Sequence, residues 1–236
     1  SVVDIGPGSP TGVIAGINAK FPTHYRDAIF LCDWTFATMY ALHLKPDGST
    51  YKGKVDTFVT NTNGSLALTD VDIGPDGHMY FCVGGRKGQS YLYRVRYVGD
   101  ESTELSPLDT SSEHFHARKT RRMIESFHGT PNSKAVETVW SYLSSKDYHL
   151  RYAARIAIEW QDPKSWADKA YKESNDQAAI HALLGLARCD HPGSKQPSID
   201  RLLKVNFVKL NKTGKLALLR TYSVIMSRSG KPSKAQ

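Results

Sequence analysis

The hydrophobic period of this chain changes once, beyond about Leu108, and that change limits the folds open to it. Before it, apolar residues come in short runs with a period of two, bounded by Gly, Pro and Asp. After it they recur every three to four residues. Period two puts alternate side chains on opposite faces of a strand. A period of 3.6 puts them on one face of a helix. The chain therefore reads as β then α, in two domains.

The clearest β stretch is Leu68 to Gly99. Leu68–Ile73, Met79–Val83 and Tyr91–Val98 read as three strands. In the first, Leu68, Asp70 and Asp72 alternate with Thr69, Val71 and Ile73. Gly74-Pro75-Asp76-Gly77 is a tight turn, because Pro presets φ and Gly supplies a positive one. Gly84–Ser90 is a Gly-rich loop, and the whole predicts an antiparallel meander. A second copy lies upstream: Thr11–Ile17, Ala28–Asp33, Thr38–Leu44, the turn Lys45–Gly48, and Val55–Thr60. Phe30-Leu31-Cys32-Asp33 aligns with Tyr80-Phe81-Cys82-Val83, and Met39–Leu42 with Leu92–Val95. A period of about 50 residues with four strands per unit suits propeller blades. The second copy lacks its outer strand, and two blades cannot close a ring. The expectation is a partial β-propeller of about two blades, the last of a longer ring, with exposed sheet edges.

The second part predicts helices, and helices are expected only after about residue 110. Val136, Val139, Trp140 and Leu143 form one stripe. Leu150, Ala153, Ala154, Ala157 and Ile158 form another, and Ala179, Leu183, Leu184 and Ala187 a third. Pro131, Pro163, Pro192 and Pro197 mark starts or breaks. Short helices with short polar joints suggest an α-helical HEAT-like repeat. Asp147 followed by Arg151, Ala153 and Ala154 fits such a repeat, with Ala allowing close approach and Asp and Arg able to pair. The domains are then 1–100, the last blades; 101–111, a polar linker; and 112–236, the helical repeat.

Composition narrows the function. No apolar run is long enough to span a bilayer. Ser1-Val2-Val3-Asp4 has no basic or apolar leader character, so any signal peptide of an exported protein would lie outside this chain. Three Cys make no disulfide framework, and Cys32 and Cys82 read as buried thiols. A net charge of +8 permits an acidic partner. Aromatic and basic residues do not interleave as in nucleic-acid binders, and the cluster Arg118-Lys119-Thr120-Arg121-Arg122 reads as a solvated helix face or a polyanion contact. No metal site is expected: His24, His43 and His78 lack a second ligand at metal spacing, and His114 and His116 do not share a helix face. Nucleotide-loop, nucleophile-elbow and zinc-helix motifs are absent.

The run SPTGVIAGINAKFPTHYRDAIFLCDWT, with LTDVDIGPDGHMYFCVGGR and SYLYRVRYVG, resembles the propeller of glucose/sorbosone-dehydrogenase-like proteins. More narrowly, it resembles the large exported haem-binding proteins of planctomycetes and verrucomicrobia. In these, such a propeller is followed by a helical repeat and often by a c-type cytochrome domain. RRMIESFHGT and HLRYAARIAIEW resemble the segment after the propeller. The resemblance implies a periplasmic or exported parent that oxidises a sugar or sugar-derived alcohol. PQQ and calcium would sit in the parent, and haem c on a separate domain. The implied partners are the missing blades, a cytochrome domain and a carbohydrate substrate.

Two departures matter. Cys189-Asp190-His191 is not a haem-attachment motif, and the blades that supply the general-base His are missing, so no cofactor and no activity are expected in this chain alone. In a propeller the ends of second strands and the starts of inner strands share a rim. That topology nominates Asp33, Trp34, Asp70 and Arg86: the two carboxylates for a hydroxyl or ion, Trp34 as a stacking face, and Arg86 for a quinone carboxylate. The alternative is a non-catalytic propeller-helix module that binds carbohydrate or protein.

Overall fold

The computed structural model describes residues 2–62, 66–85, 87–105 and 107–230. The chain divides into two compact units, 1–112 and 113–236.

The first unit holds two antiparallel sheets. β1 (Pro10–Ala15), β2 (Ala28–Asp33), β3 (Thr38–Asp47) and β4 (Thr50–Thr60) form a four-stranded sheet in chain order. β5 (Leu68–Ile73), β6 (Met79–Val83) and β7 (Tyr91–Val95) form a three-stranded one. Neither sheet is closed, and β2, β5 and β6 occupy the residues their alternation marks.

The departures from the sequence reading have physical causes. β3 runs on through Pro46, which the sequence suggested as a turn, and pairs Pro46 with Tyr51. β2 pairs only as far as His43, so beyond it β3 has β4 as its one strand partner and Pro costs no ladder bond on the open side. The reversal falls instead at Gly48, whose φ of +57° suits glycine. In β5 the pairing passes from Leu68↔Val83 to Asp70↔Cys82, leaving Thr69 as an extra, bulged residue. The bulge puts Leu68 and Val71 both inside, where strict alternation separates them. Burial in β6 also sets the repeat one residue later: it matches Phe30 with Phe81 and Cys32 with Val83. Cys82 is accordingly exposed, while Cys32 is buried as expected.

Among the described residues one short α-helix, and a 3-10 turn at Gly16–Asn18, precede residue 110, against expectation. α1 (Thr23–Arg26) is a single turn in which the Pro22 carbonyl accepts from Tyr25 N and Arg26 N, both at 2.9 Å. It closes over the core beside Phe21, Phe30 and Phe58, whose rings pack 4.7–6.1 Å apart. Arg26 is buried and its Nη1 donates to the Thr103 carbonyl at 2.6 Å, so Thr103 packs back on the strand unit.

The two sheets share one core. Phe30, Cys32 and Met39 of the first meet Leu68, Val71 and Phe81 of the second. β1 lies beside β5, where Thr11 Oγ1 donates to the Leu68 carbonyl at 2.9 Å. A side chain at Gly12 would meet the Asp70 Cα at 2.8 Å.

The second unit is helical: α2 (Glu113–Glu125), α3 (Ala135–Val139), α4 (Tyr148–Glu159), α5 (Ala167–Lys172), α6 (Asp176–Arg188), α7 (Lys195–Leu202) and α8 (Lys212–Ser229). α2 packs on α4, α4 on α6 and α6 on α8. The starts of the last three are capped by Asp147, Asn175 and Asn211, each side chain accepting from backbone N–H groups of the first turn. Buried Ala153, Ala154 and Ala157 of α4, and Ala178, Ala179 and Ala182 of α6, leave room for close helix approach. Among the described residues no helix is long and apolar enough to cross a membrane.

The β1–β5 contact yields a test. Gly12→Ala should destabilise the strand unit by about 1–3 kcal/mol, because the new methyl meets backbone that cannot swing aside. A lowered urea midpoint with unchanged helical signal is the expected result.

Candidate functional site

The sequence-nominated rim comes first. Trp34 follows β2, and its Nε1 donates to the Gly84 carbonyl, 3.3 Å away beyond β6. With Thr69, Gly85, Ser90 and Tyr91 it lines an open cleft at that end of the sheets. Trp34 and the Gly84-Gly85 pair therefore meet as the blade topology suggests.

The carboxylates are engaged elsewhere. Asp33 is 1% exposed, and its Oδ1 accepts from Thr35 N (2.7 Å), Phe36 N (3.0 Å) and Ser9 N (3.4 Å). That is a turn cap whose other oxygen lies against Gly8. Asp70 Oδ1 accepts from its own neighbour Val71 N at 2.9 Å and lies against Gly12. Burial, and then the Asp70 charge, push the Cys32 thiol up to about 11. Arg86 lies outside the described residues. The described rim residues thus fit neither a calcium ion nor a quinone: one carboxylate is committed to backbone, and the other faces β1. Haem c has no attachment motif here, as Cys189 stands without a second Cys at the required spacing.

A more developed site lies among α4, α6 and α8, where a cavity of about 470 Å³ opens. Tyr148, Arg151, Tyr152 and Arg155 face it from α4, at the spacing that aligns side chains along one helix face. His181 and Leu184 face it from α6, and Leu216 and Arg220 from α8. None of its lining residues is acidic.

Its polar groups are unusually placed. Arg151 is 6% exposed; its Nη1 donates to the Lys146 carbonyl at 3.0 Å, while its Nε is buried without a partner. Burial pulls its guanidinium below the ordinary value. Arg155 is buried too and pairs with Glu159, which Arg188 Nε grips from the other side at 3.0 and 3.1 Å. The Arg151 and Arg155 guanidiniums lie over the Tyr148 and Tyr152 rings, at 5.8 and 5.0 Å. The two rings are half-exposed, 6.3 Å apart and near parallel. Burial, with the positive charge of Arg151 and Arg155, holds His181 down at about 4. It is neutral at pH 7, and its Nδ1 is buried without a partner. The cavity therefore offers aromatic faces, fixed positive charge and unmet hydrogen-bonding capacity, which suits an anionic group on a ring-bearing ligand.

Sequence reasoning passed over this face. It took the Leu150, Ala153, Ala154 stripe of α4 as core, which it is, and read Arg151 only within an Asp–Arg pairing pattern, whereas Asp147 caps α4 and Arg151 donates to backbone. The repeat Tyr148-Arg151-Tyr152-Arg155 was the available signal. The Arg118–Arg122 cluster does not form one cationic face: Arg118 and Arg121 are half-buried, and Arg121 Nε binds Glu125 at 2.6 Å. The fold also gathers His24, His43 and Asp56, whose ligand atoms lie within 4.8 Å of one another. No sequence spacing announces that group.

Comparison of the chain with protein-family models, curated proteins and solved structures gives no match.

Two outcomes follow from these geometries. Asp33→Ala removes the acceptor of three backbone N–H groups that fix the turn after β2 and should lower stability by about 1–3 kcal/mol, measurable by denaturant titration. His181 binds a proton below about pH 4 when folded, but already below about 6.5 when unfolded. As pH falls through that window the unfolded state takes the proton first, so the helical unit loses stability, by about 2 kcal/mol at pH 5. His181→Gln should abolish this component, read as the difference between the urea midpoints of the two proteins at pH 7.5 and at pH 5.

Proposed function

We propose that the chain is the closing part of a sorbosone-dehydrogenase-like propeller joined to a HEAT-like helical array, and that its own contribution is binding. Two consecutive antiparallel meanders, of four and three strands and unclosed, support the propeller reading. The succession of α2, α4, α6 and α8 supports the array. In this reading the parent is exported or periplasmic and oxidises a sugar or sugar-derived alcohol. Its quinone and catalytic base come from blades outside this chain, and a separate haem domain accepts the electrons.

The observation that carries the binding role is Arg151. A guanidinium held out of water, with one nitrogen lacking a partner, is costly unless something completes it. It borders a cavity walled by Tyr148 and Tyr152. A sugar acid meets these demands, because its carboxylate can accept hydrogen bonds from the guanidinium and its ring can lie on the tyrosines. The bound class is therefore a carboxylate-bearing carbohydrate.

Calorimetric titration of the chain with glucuronate, glucose and a short acidic peptide tests this. Glucuronate should bind and glucose should not, with Arg151→Gln weakening glucuronate at least tenfold. Binding of the peptide alone would replace the carbohydrate with a protein partner. Binding of none of the three would end the proposal.

A further inference from the structure

In the strand unit, three metal-ligating side chains come together from three elements. His24 lies on α1, His43 on β3 and Asp56 on β4. The pairing of β3 with β4 explains the second two. Ala41 faces Asp56 and His43 faces Lys54, so His43 and Asp56 are diagonal neighbours on one face of the sheet. The single turn of α1, started by Pro22, then lays the His24 ring on the His43 ring. The centroids are 4.0 Å apart and the planes 18° from parallel. Tyr25 packs edge-on to His24 at 4.9 Å and tilted to His43 at 6.0 Å, closing one side of the group with an aromatic wall.

The polar atoms converge on one point. His43 Nε2 lies 3.1 Å from Asp56 Oδ2, and His24 Nε2 lies 3.8 Å from the same oxygen. The decisive detail is that His43 Nε2 is shut off from solvent yet makes no hydrogen bond, even with a carboxylate oxygen at that distance. Nitrogen and oxygen are near each other without being aimed at each other. A nitrogen and a carboxylate oxygen so placed are both open to a shared ion. Around a tetrahedral ion with ligand bonds of about 2.0–2.1 Å, neighbouring donors sit about 3.3 Å apart. His43 and Asp56 already satisfy this. The His24 side chain is 60% exposed, so its ring is free to turn out of the stack with His43 and aim its nitrogen at the same ion.

We propose that His24 Nε2, His43 Nε2 and an Asp56 carboxylate oxygen bind one divalent transition-metal ion of the zinc type. Two imidazoles and one carboxylate suit zinc, cobalt or nickel, and disfavour calcium and magnesium, which take oxygen ligands. The half-exposed side of the group, formed by His24 and Asp56, leaves a fourth position to water. The bound ion ties α1 to the β3–β4 pair, and β4 is the outermost strand of its sheet. The site therefore clamps a sheet edge, and binding raises the stability of the strand unit in proportion to occupancy.

The test uses the metal-stripped chain. Calorimetry with zinc should show one saturable equivalent. Cobalt, used as an optical probe, should give visible bands of tetrahedral intensity. Calcium should bind at least a hundredfold more weakly. His43→Gln and Asp56→Asn should each weaken zinc at least tenfold and remove the cobalt bands. His24→Ala alters an exposed side chain only, so it keeps the question answerable if a sheet variant misfolds. Zinc should raise the melting temperature of the parent chain and not of the His24→Ala chain. The proposal is overturned if zinc shows no saturable site, if calcium competes on equal terms, or if zinc affinity survives His24→Ala unchanged.

Discussion

The strand unit depends on one close approach, that of β1 to β5. Two open sheets of four and three strands cannot each bury a face alone. They do so by presenting those faces to a common interior, and the seam between them is the pair Thr11–Gly12 against Leu68–Asp70. The hydroxyl of Thr11 supplies the Leu68 carbonyl with a donor where no ladder partner exists. Gly12 supplies the space. The bulge at Thr69 belongs to the same arrangement, since it turns Val71 inward beside Leu68 just where β1 arrives. Phe30, Met39 and Phe81 then fill the shared interior. Hydrophobic burial provides the driving force, but a backbone approach without a Cβ decides whether it can be collected.

How much of this was readable varied with how local the information was. β2, β5 and β6 were legible because alternation and flanking Gly or Pro are properties of adjacent residues. The continuation of β3 was not. Pro46-Asp47-Gly48 carries turn chemistry, and only the absence of a β2 partner there lets Pro46 stay in a strand. The bulge concerns β5 alone, while the offset between the repeats and the exposure of Cys82 are one error seen twice, because a shift of one residue exchanges the two faces of β6. α1 escaped because one turn has no period to detect.

The candidate sites followed the same rule. Strand-end topology was enough to bring Trp34 to Gly84. It could not tell whether the Asp33 carboxylate would face a ligand or its own turn, since that depends on three N–H groups from two segments. The cleft among α4, α6 and α8 was half-written in the Tyr-Arg-Tyr-Arg face of α4, but its meaning came from His181 and the buried state of Arg151. Both belong to packing. Glu159 shows why such charges persist there. It holds Arg155 and Arg188 together, so one carboxylate serves two guanidiniums, while Arg151 is met by backbone carbonyls with the Asp147 charge nearby.

The stretch of β3 and β4 beyond His43 has a mechanical consequence. From Leu44 to Gly53 the two strands form a ribbon with no β2 beside it. Two-stranded ribbons twist strongly and are marginal by themselves. This one is strapped by residues near the start of the chain, where Gly53 N donates to the Val2 carbonyl at 3.0 Å and Val3 lies against Gly53. The ribbon is therefore a lever with its root at His43 and Asp56 and its restraint in a single backbone bond. Gly53 stands three residues before Asp56 on β4, so the strap from Val2 bears on the same strand that carries the carboxylate beside the histidine pair.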